Sequence, residues 1–204
     1  MKRCVIGTRA GSTTVTRIIE ANTPSVVVPL LEEMRSSGVD ILDNPVNTVS
    51  IKIPQTNVVI NFDDPLDFLE LIPDPENWHV IRCTRRNRLE HGLSVSQAYA
   101  HKNYLGDGVV RTGAADIPNL CLALLMLSVH DNEWNGVVNK GYSCTELYLE
   151  EWSKDYSILS NALQINIEII PDVLPGWKAI YTNWDEINQI YNDYILVTTG
   201  NSCK

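Results

Sequence analysis

No two of the five cysteines, Cys4, Cys83, Cys121, Cys144 and Cys203, stand in C-x-x-C spacing. An odd count without paired spacing argues against a zinc ribbon and a disulfide framework, and predicts free thiols in a reducing, cytoplasmic setting. Metal-ligand clusters are missing as well, so no metal is expected. The longest apolar run, near Leu120 to Val129, falls short of the roughly 20 residues that a membrane-spanning helix needs. Strand-like residues follow Met1 almost at once, an arrangement that predicts no signal peptide. Positive charge is scarce: 16 Lys+Arg against 25 Asp+Glu give a net charge of −9, which disfavours general binding to nucleic acid. There is no low-complexity segment and no internal repeat. The 204 residues, 44% hydrophobic and 20% charged, suit a single globular domain over 1–204.

What is present begins at the N-terminus, in KRCVIGTRAGSTTVTRIIE, Lys2 to Glu20. Cys4-Val5-Ile6 is a short apolar run that predicts a buried strand. Gly7 to Thr13 is a turn of small residues, after which Val15, Ile18 and Ile19 recur at helical spacing. A strand, a glycine turn and a helix start form an anion-binding layout, because the turn N–H groups and the helix N-terminus point at the same spot. Gly7 and Gly11 let the backbone bend and approach a ligand. Ser12 and Thr13 can cap the helix or donate hydroxyls to phosphate oxygens. A G-x-x-x-x-G-K-[ST] loop is not present: the glycines are one residue closer and no lysine precedes Ser12. Arg9 is the one cation of the loop. An ordinary strand-turn-helix with glycine for geometry is the competing reading of this stretch taken alone.

A second stretch, WHVIRCTRRNRLEHGLSVSQAYA from Trp78 to Ala100, has the same organisation. Val80 to Cys83 predicts a buried strand, and a helix from about Leu89 carries Ser94 on its second turn. Arg86 and Ser94 are eight residues apart, so a strand-end arginine and a helix serine can converge on one phosphate. Arg82, Arg85 and Arg88 are expected for the most part to be solvated helix-end charges. The second stretch resembles the 3′-phosphate signature of sulfotransferases that use 3′-phosphoadenosine 5′-phosphosulfate (PAPS). The first is similar to their 5′-phosphosulfate loop, with common forms P-K-S-G-T-T and P-R-S-G-S-T. By that resemblance Arg9 takes the place of the loop cation, and Gly11, Ser12 and Thr13 that of G-[ST]-T, with Thr8 where many members have proline. The resemblance implies a nucleotide site of Arg9, Ala10, Gly11, Ser12, Thr13, Thr14, Arg86 and Ser94.

Along the rest of the chain, Val26 to Leu31 is apolar, Val49 to Ile53 predicts a strand, and Val58 to Ile60 continues the strand pairing or forms an edge. Asp63-Asp64-Pro65 starts a helix. Leu105 to Ala115 is expected as a glycine-rich loop. Asp116-Ile117-Pro118 caps a helix whose LCLALLMLSV core predicts burial on several sides. Leu147 to Trp152 is expected as a late strand resembling the family's Y-E-D-L strand end, with Glu150 and Glu151 for its acids and Leu149 where the tyrosine usually stands. Helices are expected over Tyr156 to Leu163 and Asn183 to Ile195. Alternating strands and helices predict an α/β fold with a central parallel sheet and helices on both faces. The resemblance implies the three-layer P-loop-type version, with the ligand at the carboxyl ends of the strands.

The chemistry implied is in-line transfer of a sulfuryl group from PAPS to a hydroxyl or amine acceptor, carbohydrate or small molecule. Arg9 would stabilise the departing phosphate oxygen. A base would take the acceptor's proton, typically an effect of about 10²–10⁴-fold. Pro24 through Glu32-Glu33 resembles the P-x-x-x-x-G-E-E pattern of tyrosylprotein and bacterial carbohydrate members, which implies Glu32 as the base and Glu33 as its neighbour and rival. Surface glutamates on a helix are the plainer reading. Lys52 resembles a lysine on the corresponding strand of several members. His91 is expected beside the phosphate site rather than in the chemistry. A P-loop nucleotide kinase and a non-catalytic nucleotide-binding module are the alternatives, and the missing loop lysine weighs against the kinase.

Overall fold

The computed structural model describes residues 2–7, 9–23, 25–28, 57–62, 78–101, 110–171 and 178–200. The expectations for Thr8, Glu32, Glu33, the strand at 49–53 with Lys52, and the helix from Asp63 lie outside them. The chain divides into two compact units, one of residues 1–86 and 130–172 and one of 87–129 and 173–204.

The first unit is built on a five-stranded parallel sheet. Its strands are β1 (Lys2–Ile6), β2 (Ser25–Val28), β3 (Asn57–Phe62), β4 (Trp78–Thr84) and β6 (Ser143–Tyr148), in the order β2-β3-β1-β4-β6. The central pair is in register from Lys2 opposite Trp78 to Ile6 opposite Arg82. Cys4, Val5 and Ile6 are all buried, as a strand covered on both faces requires. One face carries Val5, Ile81, Cys83 and Leu147. Against it pack Val15, Ile18 and Ile19 of helix α1 (Ser12–Asn22), together with Leu159 and Leu163 further on. On the other face Arg82, alternate to Ile81 and Cys83, lies over the ring of Trp134 at 5.6 Å from its centroid and pairs with Asp131. Both partners sit on a long helix from Ile117 to Asn139, whose C-terminal part belongs to this unit. Helices therefore flank the parallel sheet.

The second unit contains α2 (Arg88–His101), the two-stranded parallel pair β5 (Val110–Gly113) and β7 (Lys178–Tyr181), the first half of α3 (Ile117–Asn139) and the last helix, α6 (Trp184–Thr199). Asn87 starts α2, its side-chain oxygen accepting the Glu90 N–H at 3.1 Å. Asp116 does the same for Asn119 at the start of α3. Leu93, Leu120, Leu124 and Ile187 form the core.

Three expectations change. Residues 110–113, expected within a loop, form β5 because they pair with β7 through partners almost 70 positions later. The apolar centre of α3 is buried along one stripe, Leu120, Ala123, Leu124 and Leu127, whereas Leu122, Leu125 and Val129 are exposed. A spacing of three and four residues is enough to fill one helix face. The strand expected over Leu147 to Trp152 is displaced: β6 ends at Tyr148, and Leu149–Trp152 is a short helix, α4. Its spacing puts Leu149 and Trp152 on one side, both against Gly11.

Helix α5 (Tyr156–Leu163) starts at Asp155, whose carboxylate accepts the Ser157 N–H at 2.9 Å. Hydrogen bonds from Ser157 hold the Asp155 carboxyl below its usual range. A carboxylate depressed on folding stabilises above its unfolded pKa and stops doing so as the pH falls through the folded one. Asp155→Ala is therefore expected to lower the urea midpoint at neutral pH. The difference from the parent should close as the pH drops below the ordinary aspartate value of about 3.9. A difference constant down to the lowest pH would mean that the cap does not act through its charge.

Candidate active site

β1 ends at Ile6, and the chain turns through Gly7 to Gly11 into α1. A Cβ on Gly7 would meet the Cys83 carbonyl oxygen at 2.5 Å, so only glycine lets the turn leave the sheet so close to β4. Gly11 has φ 85°, and a Cβ there would meet the Trp152 ring at 2.5 Å. Between them Arg9 also takes the left-handed conformation, with φ 54°. That region costs a non-glycine residue about 1–2 kcal/mol.

The loop is held from both sides. Ser12 Oγ donates to the Gly7 carbonyl at 2.7 Å, and Arg85 Nε donates to the Arg9 carbonyl at 3.1 Å. Ser12 is buried and its proton is committed within the loop, so its hydroxyl shapes the turn. The N-cap residue of α1 is Gly11, which has no side chain to cap the helix. The N–H groups of its first turn, on Ser12, Thr13 and Thr14, have no intrahelical acceptor, and the helix dipole at that end favours negative charge. Ala10 and Thr14 are buried and Thr13 is half-buried.

The C-terminal ends of β4 and β6 form the neighbouring part of the same sheet edge. Arg86 is exposed, and its guanidinium lies 3.5 Å from the centroid of the Tyr148 ring. Its Nε donates to Glu151 at 2.8 Å and its backbone N–H to Glu150 at 3.1 Å. Hydrogen bonding to Glu151 raises the Arg86 pKa further above its ordinary value. Tyr148 in turn donates to Glu146 at 2.9 Å. Burial raises its pKa, and the Glu146 carboxylate adds to the shift.

Of the residues expected in the nucleotide site, Arg9, Ala10, Gly11, Ser12, Thr13 and Thr14 share one loop and helix start. Arg86 lies at the end of β4 in the same unit, whereas Ser94, half-buried on α2, belongs to the second unit. His91, on the same helix, is buried. The arginines around Arg86 are not solvated helix ends. Arg82 is mostly buried, donates to Glu146 at 2.9 Å, and has its pKa lowered chiefly by desolvation. Arg85 braces the loop, and Arg88 reaches the Leu127 carbonyl at 3.5 Å. Sequence reasoning missed Tyr148, Trp152 and the bracing role of Arg85. The missing tyrosine at 149 was a signal for the first, since Tyr148 stands one position earlier. No local pattern announces the other two.

Among the described residues no group of three His, Cys, Asp or Glu could hold a metal ion. No described helix is long and apolar enough to cross a membrane. Cys4, Cys83, Cys121 and Cys144 are free thiols, and burial pushes Cys83 up to about 12.

No family model and no curated protein matches the chain. Its fold is similar to that of the crystal structure of a sulfotransferase from Alicyclobacillus acidocaldarius. The TM-score is 0.51 with 8% identity, over 98% of this chain and 96% of that one. At that identity the likeness concerns the fold: a parallel sheet flanked by helices, of the P-loop-like kind.

Proposed function

We propose that the chain is a sulfotransferase, a single cytoplasmic domain over 1–204 that moves a sulfuryl group from PAPS to a hydroxyl or amine acceptor, carbohydrate or small molecule. The observation that carries this reading is the left-handed Arg9 in an uncapped loop at the carboxyl end of β1. The backbone there is built as glycine would prefer it, yet the residue is a cation at the mouth of an anion-binding turn. The fold likeness and the free thiols support the reading.

In this mechanism the acceptor oxygen or nitrogen forms its bond to sulfur as the bond from sulfur to the phosphate oxygen breaks. 3′-Phosphoadenosine 5′-phosphate departs with the electron pair. Arg9, with the N–H groups at the start of α1, stabilises that developing charge without reorganising. Thr13 is free to add its hydroxyl, while Ser12 keeps the loop closed. Arg86 holds the 3′-phosphate. Glu32 takes the acceptor's proton, with Glu33 as its neighbour. In-line transfer of this kind relies on positioning and charge stabilisation, and no metal takes part.

Titration calorimetry with 3′-phosphoadenosine 5′-phosphate, against ATP with Mg²⁺, tests the reading. Metal-independent binding that weakens at least about tenfold in Arg86→Ala is expected, since hydrogen bonds to charged groups are the strong ones. Preference for ATP with Mg²⁺, or indifference to Arg86, would overturn it. Glu151 makes a further prediction. Its carboxylate orients Arg86 but repels a phosphate arriving at the same guanidinium. Glu151→Gln is expected to tighten nucleotide binding about two- to fivefold, the scale of exposed ion pairs, with the gain fading at high salt. Weaker binding in this variant would show that orienting Arg86 matters more than the repulsion.

A further inference from the structure

The sheet of the first unit carries a second polar cluster, at the end opposite to the Arg9 turn. Side chains alternate along a strand, so His79 lies on the same face of β4 as Ile81 and Cys83. The register sets Arg3 of β1 on one side of His79 and Ser143, the first residue of β6, on the other. Thr145 follows two residues on, opposite Ile81. His79 Nδ1 lies 2.8 Å from Ser143 Oγ, and Nε2 lies 3.2 Å from Thr145 Oγ1. Both β-strand neighbours also meet the end of α5. Arg3 donates to the Leu163 carbonyl at 3.2 Å, and the His79 ring hydrogen-bonds the Ala162 carbonyl.

These partners decide which ring nitrogen carries the proton. A carbonyl only accepts, so the bond to Ala162 takes a ring N–H. Burial, and after it the charge of Arg3, lower the His79 pKa from its ordinary 6.5. At neutral pH the ring is therefore uncharged and offers one lone pair. Ser143 and Thr145 compete for it, and the shorter contact, to Ser143, places it on Nδ1. Nε2–H is then left for Ala162 and Thr145. A serine hydroxyl donating to a neutral, oriented imidazole is the arrangement that activates serine as a nucleophile. Ser143 is exposed, so an electrophile reaches it from solvent.

We propose that Ser143 is a nucleophile, activated by His79, that small activated carboxylic esters acylate. Ser143 Oγ forms its bond to the carbonyl carbon as the ester C–O bond breaks. The serine proton passes to Nδ1, which gives it to the departing oxygen, so the alcohol leaves neutral and the acyl group stays on Ser143. Thr145 positions the ring. The proposal does not rest on the sulfuryl-transfer reading, because none of these residues belongs to the Arg9 loop or contacts Arg86.

A fluorescent alkyl phosphonofluoridate tests it on the full-length chain at neutral pH. Ser143 Oγ bonds to phosphorus, fluoride leaves with the electron pair of the P–F bond, and the proton goes to His79. Peptide mass spectrometry should place the label on Ser143, and Ser143→Ala should abolish it. Cys144, the next residue, does not compete, since burial raises its thiol to about 11. His79→Gln should slow labelling about 10²-fold, the lower end of what a positioned base contributes. In urea the unfolded parent should label no faster than Ser143→Ala, a control that holds even where His79→Gln folds poorly. Excess p-nitrophenyl acetate should acetylate Ser143 and block the label. Labelling at another residue, equal labelling of the unfolded chain, or an undiminished rate in folded His79→Gln would overturn the activation. A label that the ester does not block would overturn the substrate class. Any of these results would leave the nucleotide titration unaffected.

Discussion

Replacing Arg9 by glycine is expected to lower sulfuryl transfer by about 10²–10³-fold, the effect of removing one preorganised donor to developing charge, while leaving the chain as stable as before. The two halves of this expectation have different causes. At φ 54° an arginine bears about 1–2 kcal/mol of conformational strain, which glycine removes. Glycine's greater freedom in the unfolded chain offsets roughly 0.5–1 kcal/mol of that gain. The net change in stability is therefore near zero or slightly positive. The loop keeps its other ties, because Arg85 holds the carbonyl of residue 9 and Ser12 that of Gly7. A urea titration checks the first half and single-turnover transfer from PAPS the second. Arg9→Lys should recover part of the rate, since the charge returns without the planar fork. If Arg9→Gly transferred at the parent rate, the cation would have no part in stabilising the departing phosphate.

Gly11→Ala is expected to destabilise the first unit by about 2–4 kcal/mol, the sum of left-handed strain at a non-glycine residue and overpacking against a rigid neighbour. The added methyl has nowhere to go. The Trp152 ring, 2.5 Å from the Cβ position, is buried in the core with Val15, Ile18 and Leu159. Trp152→Leu by itself removes ring atoms from that core and is costly for its own reason. In the double variant the methyl enters the space the ring has left. The combined loss should fall short of the sum by about 1–2 kcal/mol, the coupling expected of residues in contact. The residual penalty is the backbone strain, which no change at position 152 relieves. Urea midpoints of the four proteins in this cycle measure both parts. Strict additivity would mean that the ring is not what the methyl meets.

The strand-turn-helix at the N-terminus and its counterpart from Trp78 were legible because each is specified within about twenty residues. An apolar run, a glycine turn and a helical repeat leave little choice of local structure. The helix start near Leu89 and the placement of Arg86 at a strand end follow from the same local signals. Leu147 to Trp152 was misjudged for the converse reason. A six-residue apolar and acidic stretch suits a strand or a turn of helix equally, and packing of Leu149 and Trp152 on Gly11 decided the matter.

The sequence by itself therefore determined the parallel α/β architecture, the strand-turn-helix that carries Arg9, and the arginine at the end of β4. Tertiary structure decided the rest. It set Trp152 behind Gly11 and brought Arg85 to the Arg9 carbonyl across 76 positions of chain. It placed Tyr148 beneath Arg86 and brought Glu151 to that arginine across 65. It also paired β5 with β7, which no local motif connects. Hydrogen bonds of turns and helices and the periodicity of side chains are local, so a short window of sequence encodes them. Which side chains meet across the sheet depends on strand order and register, which are fixed when the whole core packs together.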